Sequence, residues 1–416
     1  MNKKDLFPDG TIIDEWFYDT TIPSLEALGK QYVITEYGIC DDGKIYTQEI
    51  QALIDRIAEE GGGVLVIPEG TYYTGALFFK QGVNLYIKER GMLKGSDDIS
   101  DYPVCFTRIE GQSCMYYPAI INADDVNGFV MCGEGTIDGN GSRAWKAFWQ
   151  RRQWNPDCTN KDEQRPRLLF ISNSSNVTIA GLRLQNSHFW TTHIYKCNHI
   201  RYIGCSIFAP NAPVPAPSSD AIDIDVCTDV LIKDCYIEVC DDAVVLKGGK
   251  GPDADKLPEN GMNERILVED CHFGYCHSCL TCGSESIHNK NILMRRLKLS
   301  GPDKLLWLKM RPDTPQHYEY VTIEEAEGNV RRFIFVRPWT QFFDMKGKKG
   351  IPRSLAEHIT MRDCKCECDV FFDVEKEEEQ YQLSQFTFEN LNIQAEYTEF
   401  DRSAVDGFVV NKLKLF

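Results

Sequence analysis

The hydrophobic positions of this chain follow one short pattern that recurs down most of its length. Each copy begins on an apolar residue at the head of a brief strand-like run. A second small or apolar residue follows five positions later. The leading positions are Val177, Ile200, Val230, Ile266, Ile292, Val321, Ile359 and Phe386. Their partners are Leu182, Cys205, Cys235, Cys271, Leu297, Ala326, Cys364 and Leu391. The intervals between leading positions are 23, 30, 36, 26, 29, 38 and 27 residues, the spacing of a solenoid with variable insertions. The runs are short and β-branched, as in Val230-Leu231-Ile232, and no long 3.6-residue periodicity separates them. This predicts an all-β chain, a single-stranded parallel β-helix, rather than a helical or leucine-rich repeat.

Upstream the pattern changes. Ile50 to Glu60 reads as an amphipathic helix on Ile50, Leu53, Ile54 and Ile57, stopped by Gly61-Gly62-Gly63. A solenoid needs a cover over its open end, and this helix is the candidate. Strand-like runs follow at 64–67, 76–79 and 83–87. No linker or low-complexity run divides the chain. The expected division is an N-terminal extension and cap over 1–45 and a β-helix catalytic domain over 46–416.

Composition changes this picture in three ways. A content of 43% hydrophobic and 26% charged residues over 416 positions allows a large core and excludes a disordered chain. A net charge of −17, with no stripe of Lys and Arg, argues against nucleic acid and anionic membrane as partners. No run approaches the roughly 18 apolar residues of a membrane span. The start, Met1 to Pro8, lacks the apolar segment of a secretory signal. The sequence as it stands is expected in the cytoplasm, or in the periplasm or outside the cell if a signal was removed from it.

Seventeen cysteines are an odd number. Cys205, Cys235, Cys271 and Cys364 fall on the inward repeat positions, which predicts reduced, buried ladders rather than a disulfide framework. Cys271, Cys276, His277, Cys279 and Cys282 crowd into twelve residues in a zinc-like set. Cys271 and Cys276 are nevertheless repeat positions, because Cys240 likewise follows Cys235 by five, and the core reading is preferred. No metal or cofactor is called for.

The chemistry lies in Ser218 to Asp225 and in Cys240-Asp241-Asp242. Asp220 and Asp241 are 21 residues apart, about one coil, so three carboxylates are expected in one patch. Crowded like charges raise at least one pKa and oppose folding, so structure alone gives little reason to collect them. Glycoside hydrolysis does: one protonated acid serves the leaving oxygen and one carboxylate activates water. Separations of roughly 6.5–9.5 Å leave room for that water and give inversion. His277 follows Ile266 by 11, as Asp241 follows Val230, which puts it beside the acids. One coil further, strand alternation turns Trp307, Lys309 and Arg311 outward and Leu306, Leu308 and Met310 inward. Lys247 has the same outer parity. Cations beside acids suit a carboxylate-bearing sugar.

These segments resemble the polygalacturonase family, glycoside hydrolase family 28. The family's Asn-Thr-Asp-Gly appears as Ser218-Ser219-Asp220-Ala221, and its Gly-Asp-Asp as Cys240-Asp241-Asp242. Its Gly-His-Gly appears as Cys276-His277-Ser278, followed by Gly283-Ser284-Glu285, and its Arg-Ile-Lys as Trp307-Leu308-Lys309. Gly133 to Gly141 and Gly91 to Ser96 are also similar to family segments, and the resemblance runs from about Ile50 to Leu391. It implies a right-handed, pectin lyase-like β-helix and inverting hydrolysis of α-galacturonosidic linkages in acidic pectic oligosaccharides or polysaccharides. By position, Asp241 is the general acid, Asp220 and Asp242 hold and activate water, His277 supports the acid, and Lys309 binds the sugar carboxylate. Arg311, Trp307, Lys247 and His193 complete the expected substrate-binding set.

Two features bear on substrate. Trp307 stands where the family has arginine, which brings a rhamnogalacturonan fragment into view. The long interval after Val230, filled by Gly248 to Asn263, is expected to close one end of the cleft and give exo action. The alternatives are a lyase, which would need calcium or an arginine base, and a noncatalytic carbohydrate-binding β-helix, which has no use for three acids in register. Neither sequence feature bears on oligomeric state.

Overall fold

In the computed structural model, which describes residues 5–350 and 352–416, successive strands stack in parallel and in register along one coil axis. The leading positions pair directly: Val177 with Ile200, Ile200 with Val230, Val230 with Ile266, and Ile266 with Ile292. Ile292 with Val321 and Val321 with Ile359 continue the row. All eight partner positions five residues on are buried. The repeat read from the sequence is therefore the coil of a parallel β-helix.

Its corners have a backbone signature. In all eight repeats the residue just before the leading position has a positive φ, as in Asn176, Asp229, Arg265 and Asn291. So does the residue just before the partner position, as in Gly181, Gly204, Asp234 and Asp270. This left-handed region suits Gly, Asn and Asp, which supply many of the corners. Each corner turns the chain from one face of the coil to the next.

The interior is filled by ladders of Ile, Val, Leu and Cys. Cys205, Cys235 and Cys271 donate to the carbonyls of Ile179, Tyr202 and Ile232 on the coil before, at 3.4, 3.7 and 3.7 Å. Cys276, Cys279 and Cys282 lie in the same apolar core, and all seventeen cysteines are unpaired. Helix α1, Thr47–Glu59, lays Ile50, Leu53, Ile54 and Ile57 over the first coil and stops at Gly61 and Gly62, both at positive φ. Residues upstream run along the outside, where Phe7, Ile13 and Phe17 pack on Leu231, Leu267 and Leu293.

Two insertions sit on the outer face of the coil and position the site. One is an antiparallel hairpin, Cys105–Ile109 with Gln112–Tyr116. The other is helix α2, Ser142–Trp154, which buries Trp145 and Phe148. No helix among the described residues is long and apolar enough to cross a membrane.

Candidate active site

The acids stand at the threshold of the strands that carry them. Strand Ile222–Asp225 begins just after Asp220, and strand Val244–Lys247 just after Asp241-Asp242. Strict alternation would turn neighbouring Asp241 and Asp242 to opposite faces. Because both precede the strand, no such alternation applies. Backbone bonds hold the three coils in step: Ala221 N–H donates to Asp242 O at 3.0 Å, and His277 N–H to Asp241 O at 2.8 Å.

His277 Nδ1 lies 3.2 Å from Asp241 Oδ1. Lys309 Nζ donates to Asp242 Oδ2 at 2.6 Å and sits 4.1 Å from the Trp307 ring centre. The other Asp242 oxygen, Oδ1, is buried without a hydrogen-bond partner among the described residues. Trp307 thus positions the ammonium on Asp242 while lining the cleft itself.

Burial, then the charge of Asp241, pushes the Asp220 carboxyl up to about 8. Burial also works to raise Asp241, but His277 and then Lys309 overcome it and hold this carboxyl at about 2. His277 is raised in return: burial lowers it and the Asp241 charge outweighs that. The groups therefore titrate together, Asp220 raised while Asp241 and His277 favour one another's charged forms.

Asp223 lies directly beneath, fully buried, with neither oxygen hydrogen-bonded among the described residues. Burial and then Asp220 push its carboxyl well above the usual carboxylate range. Lys247 Nζ bridges this group, 3.2 Å from Glu285 Oε2 and 3.7 Å from both Asp220 and Asp223. Glu285, quoted above only within a motif, is thus the main counter-charge of Lys247.

Crowding these acids has a measurable cost. A carboxyl raised in the fold stabilises it while protonated, fully below the unfolded value of 3.8 and no longer once pH passes about 8. Asp220→Asn is therefore expected to raise the melting temperature by a few degrees at pH 8 and to change it little at pH 4. Equal shifts at both pH values would remove Asp220 from the strained role.

The cleft encloses about 550 Å³. Asp220, Asp241, His277, Lys247, Trp307 and Lys309 all line it, whereas Asp242 is fully buried beneath Lys309 and is not part of the lining. Its walls are aromatic, with Phe148 and Trp149 from α2, and Trp190, Tyr275, Trp339 and Phe342 from the loops.

Three expectations are corrected. Arg311 does not reach substrate. The strand ends at Met310, and Arg311 is fully buried, gripping Asp313 through two bonds of 2.7 and 2.9 Å. His193 does not reach it either. It has the right parity, but the hairpin covers it: Nδ1 accepts from Arg167 at 2.6 Å, and Nε2 faces Asp225 at 3.3 Å. The segment Gly248 to Asn263 forms no part of the cleft wall. It braces the hairpin instead, through Arg108 to Asn260 at 2.8 Å and close packing of Gly249 on Gly111.

The wall comes from elsewhere. Glu110, in the hairpin turn, accepts from Asn160 at 2.9 Å, and Asn160 accepts from Arg152 of α2 at 3.0 Å. Arg152 in turn faces Phe148 at 4.4 Å and Phe342 at 5.9 Å. Three segments distant in sequence thus knit into one wall of the cleft.

Among the described residues, two groups bring metal-ligand atoms within 4.8 Å of one another: Asp241, Asp242 and His277, and, on the outer coil, His288, His317 and Glu319. In the first, Lys309 already supplies the positive charge on Asp242.

A row of acids on the outer face of a parallel β-helix, flanked by lysines and aromatic walls, thus lines one cleft. Residues 98–304 match the family model for glycosyl hydrolases family 28. A "Probable polygalacturonase" of Vitis vinifera is 29% identical over 226 residues, 52% of this chain and 44% of that protein. A "Probable endo-xylogalacturonan hydrolase A" of Aspergillus fumigatus is 29% identical over 282 residues, 65% of this chain and 61% of that protein. The chain thus spans about half the length of the curated relatives it matches.

Solved structures share the fold. The family 28 exopolygalacturonase of Yersinia enterocolitica superposes with a TM-score of 0.71 at 17% identity, over 92% of this chain and 78% of that one. The endo-xylogalacturonan hydrolase of Aspergillus tubingensis gives 0.65 at 18% identity, over 92% and 95%.

Proposed function

We propose that the protein hydrolyses α-galacturonosidic linkages in pectic oligosaccharides, with inversion, from a chain end. The observation that carries this reading is the meeting of Asp220 and Asp241 with His277 and Lys309 in one cleft, with Asp242 buried behind Lys309. Asp241 protonates the leaving oxygen, and Asp220 with Asp242 holds and activates the water. The free oxygen of Asp242 and the raised carboxyl of Asp220 suit that task.

Substrate itself sets the proton in place. A uronate seated on Lys309 takes up part of the charge that, after His277, holds Asp241 low, and adds a negative charge beside it. Both effects raise Asp241 toward the protonated form that the acid role needs.

The hairpin and α2 stand across the groove on the side of the earlier coils, which supports exo action. Early digestion of a long oligogalacturonide is expected to release single sugars, with viscosity falling slowly. A spread of mid-length products would show an open groove. The buried, unpaired cysteines support a reducing compartment, where short imported oligosaccharides rather than wall polymer would be met.

One observation favours a second substrate. Arg311 is taken up by Asp313, so it does not replace the family arginine lost at Trp307. The ring of aromatics and the small number of free cations suit a neighbouring sugar without a carboxylate, as in a rhamnogalacturonan fragment. Comparing hydrolysis of galacturonide and rhamnogalacturonide oligomers of equal length distinguishes the two.

A further inference from the structure

The outer row that carries the active site does not end at the hairpin. Its residues are paired coil to coil: Trp307 with Thr281, Thr281 with Val245, Val245 with Asp223 and Asp223 with His193. Beyond His193 the same row continues through Phe170 and Asn122 to Phe78. The hairpin lies across its middle, bound to it where Arg108 meets Asp225 at 2.9 Å and where Arg167 meets Thr107 at 2.6 Å. One groove is thereby cut in two. The far part encloses about 390 Å³ between the early coils and the base of the hairpin.

We infer that this far groove is a second saccharide-binding site, separate from the catalytic cleft and made for an uncharged sugar segment. It goes beyond the hydrolytic reading and does not depend on it. Phe106 is 73% exposed and Phe78 41% exposed, although both are large apolar side chains, and both line the groove. Phe170 and Tyr195 add two more rings. Aromatic faces set beside polar groups are what pyranose rings, with one apolar face and a rim of hydroxyls, stack on.

Arg108 supplies an unspent donor. It is 1% exposed and lines the groove; its Nε and Nη2 bond Asp225 and Asn260, while Nη1 has no partner among the described residues. A buried N–H left without an acceptor is costly, and a sugar hydroxyl would satisfy it. The charge balance excludes an acidic sugar. Arg108 is neutralised by Asp225, and Asp124 adds a negative charge to the groove lining. A uronate would meet no free cation there, so the ligand class is neutral.

Isothermal titration of the full chain with galactotetraose, arabinotetraose and xylotetraose tests this. At least one is expected to bind, about tenfold more weakly in Phe106→Ala and in Phe78→Ala, and equally well in Trp307→Ala. Phe106 is exposed, so its variant should fold, and Phe78→Ala provides a second reading. Both should hydrolyse a short galacturonide at the normal rate. Absence of binding to all three sugars would overturn the site. So would loss of binding in Trp307→Ala with retention in Phe106→Ala, which would place the sugar in the catalytic cleft. A dimer in sedimentation that Phe106→Ala dissolves would show the exposed rings to be a self-association face instead.

Discussion

Asp241→Asn is expected to lower turnover of pectic oligosaccharides by about 10²–10⁴-fold while leaving the fold intact. The amide keeps the shape of the side chain and its place beside His277, 3.2 Å away. It has no proton to give the leaving oxygen. The loss should shrink on an aryl galacturonide, whose leaving group needs little protonation. Asp220→Asn should be equally slow on both substrates, because its part is to activate water. This pair of measurements matters because burial raises Asp220 while His277 holds Asp241 low. Rescue of Asp220→Asn, rather than Asp241→Asn, by the better leaving group would exchange the two roles. A near-normal rate in Asp241→Asn would end the acid assignment.

Lys309→Met is expected to lower kcat/KM on galacturonides by roughly 10–150-fold, mainly through KM. That corresponds to the ~1.5–3 kcal/mol of a hydrogen bond to a charged group. The lysine also holds Asp242 at 2.6 Å, so its loss leaves a buried carboxylate without a partner. Part of the effect should therefore fall on kcat. Lys309→Arg should recover little, since the ammonium sits 4.1 Å from one indole centre and 4.7 Å from another, with little room for a planar fork. Unchanged kcat/KM in Lys309→Met would remove the lysine from uronate binding.

What the sequence made legible follows from what repeats. The leading positions fall on successive coils, so their spacing alone gave the strand register, and with it the alignment of His277 with Asp241. Parity along Leu306 to Met310 correctly turned Trp307 and Lys309 outward. Parity failed one step later, because the strand stops at Met310. Asp313, two residues beyond Arg311, was the local sign that this arginine had a partner of its own.

His193 failed differently. It stands in the outer row, but what covers it is Arg167 and a hairpin far upstream in the chain, a contact no local pattern contains. Helix α2 carried a weak signal in Trp145, Phe148 and Trp149, spaced three and four apart. The wall across the groove had none, since Glu110, Asn160, Arg152 and Phe342 meet only in three dimensions.

The paired left-handed corners have a consequence for inheritance. They always stand five residues apart, whereas the distance from one repeat to the next ranges from 23 to 38 residues. Extra residues therefore enter only outside the stretch between corners, and each coil re-establishes its own alignment. A lineage can lengthen or shorten the segments around the groove, and so reshape its walls, without displacing the acids from their register.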